Sequence, residues 1–267
     1  MSTTPSTSSL PQHDRDPGSV AGHWLLARIG KKVLRPGGRE LSEWLVSATD
    51  VAGRRVVEFA PGLGLTATLL LESGPASYTG VDSDPEAVEV TRAAIGGRGV
   101  LVQAPAQHTG LDAGSADLVV GEAMLTMQGD STKRQIVAEA ARLLSLGGRY
   151  LVHELCLVPD DLDDEIKTSI RRELARSIRV NARPLTVAEW SQLFAEAGFE
   201  VEATELRPMA LLQPRRVVAD EGLAGAARIV GNLLRDADAR ARVLAMRRTF
   251  RTHRRHLSAV GLVLRAR

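Results

Sequence analysis

The chain has 267 residues, 44% of them apolar, enough for one large domain with a buried core and sizeable insertions. A formal net charge of +2 gives no overall pull towards nucleic acid or membrane, and 3% aromatic residues leave few platforms for stacking bases. A single cysteine, Cys156, excludes an intramolecular disulfide and any cysteine-based zinc site, and no apolar run approaches the roughly 20 residues of a membrane span.

Residues 1–15, rich in Ser, Thr and Pro, read as a disordered tail without the apolar stretch of a signal peptide. A cytoplasmic location is expected, since a single cysteine fits a reducing compartment. Val20, Trp24, Leu25 and Ile29 recur at helical spacing, and Leu41, Trp44 and Leu45 mark a second helix after Pro36-Gly37-Gly38. The pattern then alternates between short apolar strands and helices. Strands are predicted at Arg55–Ala60, Tyr78–Asp82, Val100–Gln103, Ala116–Val120 and Arg149–Val152. Helices fall between them: Thr66–Glu72, one from Asp84-Pro85 through Ile95, and Thr132–Leu144, the last ended by Gly147-Gly148.

Such alternation implies a parallel sheet covered on both faces, with ligands bound beyond the carboxyl ends of its strands. Beyond Glu154 the chain turns helical. Leu162, Ile166, Ile170, Leu174 and Ile178 form an apolar stripe, read first as a packing face and second as a wall for a substrate. Thr186 and Glu189 form a capping-box pattern before a helix ended by Gly198. Phe199–Leu206 reads as a strand, 208–256 as inserted helices, and Leu257–Leu264 as a final strand.

The segment from Glu58 to Ala67 carries the binding signal. Gly62 and Gly64 let the backbone turn sharply between a strand and a helix, whose first amides are free for an acceptor. Gly62-x-Gly64-x-x-Ala67 also matches a dinucleotide fingerprint, and Asp82 about 20 residues on suits ribose hydroxyls under either reading. Glu58 is an acid beside this turn, where a carboxylate suits a cationic group and repels a pyrophosphate.

With Glu58 in the acidic position, the segment resembles the first motif of class I S-adenosylmethionine-dependent methyltransferases. Tyr78–Pro85 resembles the second strand and its ribose-binding acid, and Gly114–Val120 the approach to the fourth strand. Ala141–Arg149 resembles the glycine pair before the fifth, and Glu189–Val201 the late helix and sixth strand. The resemblance implies a Rossmann-like, doubly wound α/β fold of seven strands, mostly parallel. Its last strand, assigned to Leu257–Leu264, runs antiparallel between strands five and six. It implies one domain over 16–267, with a core of 50–158, 184–207 and 257–267 and helical lid segments at 16–48, 159–183 and 208–256.

S-adenosylmethionine is then the expected cofactor, held by Glu58, Ala60, Pro61, Gly62, Gly64, Asp82, Ser83, Ala106, Gln107, Gly121 and Glu122. The family often has an acid after the third strand, near the adenine amine. Gln103-Ala104-Pro105-Ala106-Gln107 has none, which leaves backbone groups and Gln107 for that contact. Methyl transfer is an in-line displacement, so a general base is needed only where the acceptor loses a proton. Glu122, His153 and Glu154, just past the fourth and fifth strands, are the candidates for it.

No metal is expected. The expected partner is a small organic acceptor methylated at oxygen, nitrogen or carbon. Arg247, Arg248, Arg251, Arg254 and Arg255 form a basic run, read as a solvated helix face. An RNA methyltransferase using that run, a non-catalytic cofactor-binding protein and a nicotinamide dehydrogenase are the alternatives.

Overall fold

The computed structural model describes residues 10, 11 and 20–267. Its centre is a sheet of strands β1 (Arg55–Phe59), β2 (Ser77–Asp82), β3 (Val100–Gln103), β4 (Ala116–Glu122), β5 (Leu144–Leu157), β6 (Leu185–Thr186), β7 (Phe199–Pro208) and β8 (Leu257–Ala266). The spatial order is β3-β2-β1-β4-β5-β8-β7, with β6 paired to the far end of β5. Strands β3 to β5 and β6 pair in parallel, while β8 runs antiparallel to both β5 and β7. The predicted sheet is thus present, with β6 as an added two-residue strand. Strand order reverses at β1 and β4, whose carboxyl ends are Phe59 and Glu122.

Local chemistry sets the helices. In α4 (Pro85–Ile95) Asp84 accepts from the Glu86 and Ala87 amides, Pro85 starts the helix and Gly96 closes it in the left-handed region. Before α7 (Val187–Glu196) the capping box forms as predicted, with Thr186 and Glu189 each accepting from the other's amide. Helix α3 (Leu65–Glu72) follows the glycine loop, α5 (Asp130–Leu143) precedes β5, and α2 (Gly38–Ser47) lies against β5 and β8. The core on one sheet face gathers Phe59, Tyr150, Trp190, Phe194 and Phe199. The opposite face gathers Leu45, Val56, Leu70, Ile95 and Val263.

The fifth strand departs from expectation. Helix α5 ends at Leu143 and β5 begins at once, so Gly147-Gly148 lies inside the strand and does not cap the helix. Leu144 pairs with Ala116 and Arg149 with Leu118, so Ser145–Gly148 is an irregularity with Gly147 at φ +74°. The strand also continues to Leu157, which puts His153 and Glu154 in its buried interior instead of in a loop beyond it.

Four helices form the lid: α1 (Gly22–Arg28), α6 (Asp164–Ile178), α8 (Pro214–Arg235) and α9 (Ala237–Thr252). They share a core with Leu10, Trp24, Leu25, Ile170, Leu174, Ile229, Val243 and Met246. Leu10 and Pro11, inside the predicted disordered tail, are buried, and the rest of that tail lies outside the described residues. Of the predicted α6 stripe, Ile170 and Leu174 are buried but Ile166 is exposed. Gly222, at φ 72° and ψ 172°, breaks α8 into two helical pieces.

Candidate functional site

A cavity of about 490 Å³ lies between the carboxyl ends of β1, β2 and β4 and the lid. Its floor includes Glu58, Ala60, Pro61, Gly62, Asp82, Ser83, Ala106, Gln107 and Glu122. Its roof includes Trp24, Leu26, Leu34, Leu174, Ile178, Val180, Met209, Leu211, Met246 and Phe250. The floor is polar and the roof apolar.

Nine of the eleven expected cofactor residues therefore share one space. The other two, Gly64 and Gly121, do not line it. A β-carbon on Gly64 would lie 2.7 Å from the Ala94 methyl and the residue sits at φ +72°, so this glycine admits α3 against α4. A β-carbon on Gly121 would lie 2.9 Å from the Tyr150 hydroxyl, so this one makes room within the core. Gly62 differs from both. At φ +58° its missing side chain leaves open space, with only the Ala60 carbonyl 3.8 Å away. Thr91 of α4 donates to the Gly62 carbonyl at 2.9 Å and fixes the loop, a contact that the sequence pattern did not signal.

Glu58 is buried, and the Tyr78 hydroxyl donates to it at 2.7 Å. Burial pushes its carboxyl up to about 8, against a smaller opposing effect of Tyr78 and of the positive charge of Arg35. A carboxyl held this way gains most from a cation brought into the cavity. Asp82 sits at the end of β2, also raised chiefly by burial, with one oxygen accepting from the Asp84 amide at 3.0 Å. Gln107 and Ser83 lie exposed at the rim. An open glycine cradle, an acid for a cationic amine and a second acid for ribose hydroxyls fit S-adenosylmethionine.

The three candidate bases are all engaged. Glu122 accepts from Ser42 Oγ at 2.6 Å, from His153 Nδ1 at 3.0 Å, from Arg35 Nε at 2.7 Å and from Thr66 Oγ1. Burial would raise its carboxyl, but Arg35, His153 and Ser42 outweigh burial and hold it at about 2. His153 is fully buried and does not line the cavity. The Gly37 amide donates to its Nε2 at 3.0 Å, so Nδ1 carries the proton towards Glu122. The expectation of His153 as a base facing the ligand is therefore corrected: both ring nitrogens serve the fold.

Glu154 touches the cavity wall but accepts from the amides of Met124, Leu125 and Thr126 and from the Thr126 hydroxyl. It caps the 3₁₀ turn Leu125–Met127. Sequence reasoning missed Arg35, Ser42 and Thr66, because nothing in a loop or helix pattern says that three distant segments converge on Glu122.

His23 was also missed. It lines the cavity, and among the described residues its ring has no hydrogen-bond partner. Burial pushes its imidazole down to about 4, with Asp84 pulling partly back, so the ring is neutral near pH 7. Among the described residues no group of three or more His, Cys, Asp or Glu side chains is placed to hold a metal, and no helix is long and apolar enough to cross a membrane.

Comparison with known proteins agrees with this geometry. The family described as "Methyltransferase domain" matches residues 57–152. An uncharacterized protein of Haemophilus influenzae is 33% identical over 247 residues, which cover 90% of this chain and 96% of that one. Among solved structures, a SAM-dependent methyltransferase from Geobacter sulfurreducens in complex with S-adenosylhomocysteine matches with a TM-score of 0.64 at 16% identity, over 94% of this chain and 100% of that one. Phosphoethanolamine N-methyltransferase 2 of Haemonchus contortus, with S-adenosylmethionine, matches at 0.67 and 15%, over 99% of this chain and 60% of that one. The [4+2]-cyclase SpnF matches at 0.68 and 14%, over 93% of this chain and 97% of that one. At these identities the structures share the fold, and the cyclase among them shows that the fold alone does not dictate the reaction.

Proposed function

We propose that this chain, whose residues 57–152 match the methyltransferase domain family, is a class I S-adenosylmethionine-dependent methyltransferase whose acceptor is a small, largely apolar organic molecule bound under the helical lid. The observation that carries this reading is a cavity that joins the acids Glu58 and Asp82 on its floor to the apolar side chains of its roof. Bound on that floor, S-adenosylmethionine supplies an electrophilic methyl on its sulfonium. Glu58 then meets the amino end, Asp82 and Ser83 the ribose, and Ala106 and Gln107 the adenine, with Gly62 leaving room for close approach.

The roof residues exclude water and hold the acceptor in line with the methyl. Glu122 keeps Arg35 and the loop before α2 in place, a positioning role. His23, neutral and packed beside the Trp24 ring with no hydrogen-bond partner among the described residues, accepts a hydrogen bond from an acceptor hydroxyl or amine and takes its proton where one is lost.

Incubation with methyl-labelled S-adenosylmethionine and fractionated cell extract tests this. Label is expected in small molecules that partition into organic solvent, and His23→Ala should slow that transfer about a hundredfold. Label in RNA alone, or tight cofactor binding with no transfer to any fraction, overturns the acceptor class.

A further inference from the structure

The lid has a second face that the cavity does not use. Residues 214–255, which form α8, α9 and the turn after them, hold eleven arginines and four acids, a charge of +7 in a chain whose total is +2. The remainder of the chain is therefore net acidic. Of the four acids, Asp220 and Glu221 are tied to Lys31 and Asp236 caps α9, so Asp238 alone is exposed. Arg235, Arg248, Arg251, Arg254 and Arg255 are exposed and make no ion pair with a described residue.

The same two helices carry apolar side chains that the fold leaves in water. Leu223 is 79% exposed, Val230 56%, Leu234 70% and, on α9, Leu244 54%. Leu223, Ala227, Val230 and Leu234 recur at spacings of four, three and four, so they form one stripe about 16 Å long on α8. Gly225 and Ile229 on the same helix are buried, so this stripe is a second apolar side and not the packing side.

We propose that the outer face of the α8–α9 hairpin docks on the surface of an anionic lipid bilayer, with its leucines in the acyl boundary and its arginines among the headgroups. The pairing of exposed apolar and basic side chains selects this occupant. A second copy joined by a two-fold axis would set the same arginines against each other. RNA would satisfy the arginines but offers nothing apolar to the leucines. The inner side of α9 bears Met246 and Phe250, which line the cavity. Docking thus brings a bilayer within about one helix diameter, ~10 Å, of the apolar acceptor space.

The test is co-sedimentation of the full chain with vesicles of phosphatidylglycerol and phosphatidylcholine in equal parts, and with phosphatidylcholine alone, at low and high salt. Binding to the anionic vesicles is expected to be about tenfold or more stronger, and to fall with salt. The double variant Leu223→Asp with Leu234→Asp should lose it while keeping the wild-type circular dichroism and melting temperature. Arg248→Glu with Arg251→Glu should weaken it about tenfold or more. Equal or absent sedimentation with the two vesicles overturns the proposal, as does a leucine double variant that sediments like wild type. So does a dimer, seen by light scattering, that the leucine variant dissociates without any vesicle binding, or an RNA that binds the face in preference to vesicles.

Discussion

At Glu58 the site holds a carboxyl in a state that the empty fold disfavours once it ionises. Its proton is bound more tightly in the folded chain, at about 8, than in a free glutamate at 4.5. Between those values the folded state holds the extra proton, so this group makes stability fall as pH rises from about 4.5 to 8. Glu58→Gln should remove that slope and raise the melting temperature of the cofactor-free protein at pH 8. The same change should weaken S-adenosylmethionine binding. In the wild type, a cationic ligand favours the ionised carboxyl, so binding should release a proton and tighten from pH 6 to 8. Calorimetry in buffers of different ionisation enthalpy measures that proton, and a pH-independent affinity would remove Glu58 from the ligand's amino end.

Glu122 is the opposite case, ionised and satisfied by four donors. Glu122→Ala leaves a buried arginine and a buried histidine without their acceptor, and a loss of about 3–5 kcal/mol is expected in urea unfolding. A drop in activity in that variant would report a displaced loop. A variant with native stability and no activity would instead place Glu122 in the chemistry.

At the scale of elements, the two glycines of the binding loop separate into different jobs. Gly64 is required by the packing of α3 on α4, so Gly64→Ala should cost about 1–3 kcal/mol of stability and affect the ligand only through the fold. Gly62 has open space around its missing side chain, so Gly62→Ala carries the backbone penalty alone and should act mainly on cofactor affinity. Melting temperature and calorimetric titration of the pair distinguish the two. Equal effects on both measures in both variants would contradict the assignment. Element identity was readable in the sequence because caps are local: Asp84-Pro85 and Thr186 with Glu189 each start the helix they were expected to start. The end of α5 was not readable, because pairing of Leu144 with Ala116 decides it and a strand partner 28 residues away leaves no local mark.

For the whole molecule, the lid is attached to the site through buried charge. Lys31 lies 3.7 Å from Asp220 and 3.5 Å from Glu221, and Glu221 also accepts from the Lys32 and Val33 amides. Asp220 in turn accepts from the Arg39 amide at 3.3 Å. This clasp joins α8 to the loop that carries Arg35 to Glu122. Asp220→Ala should leave Lys31 with Glu221 alone and the Arg39 amide without its acceptor, cost about 1–3 kcal/mol, and speed amide hydrogen exchange in α8 and residues 31–39 before the sheet opens. Exchange that changes only in the sheet would mean that the clasp does not couple lid to site.

The sequence by itself determined the order of strands and helices and the glycine loop with Glu58 and Asp82 on either side of it, and the ordered motifs carried the resemblance from which the cofactor was expected. These follow from periodicity, caps and residue chemistry, which act over a few residues. Only the tertiary structure decided which candidates face the ligand. His153 points into a buried network, Glu154 caps a turn, and Arg35, Ser42 and Thr66 meet at Glu122 from segments up to 87 residues away. Which polar groups meet in a buried space is fixed by the packing of remote segments, and no local pattern encodes it. Of the +7 hairpin only Arg247 to Arg255 was legible as a basic run, and its exposed leucines became visible only once the opposite side of the same helices was buried.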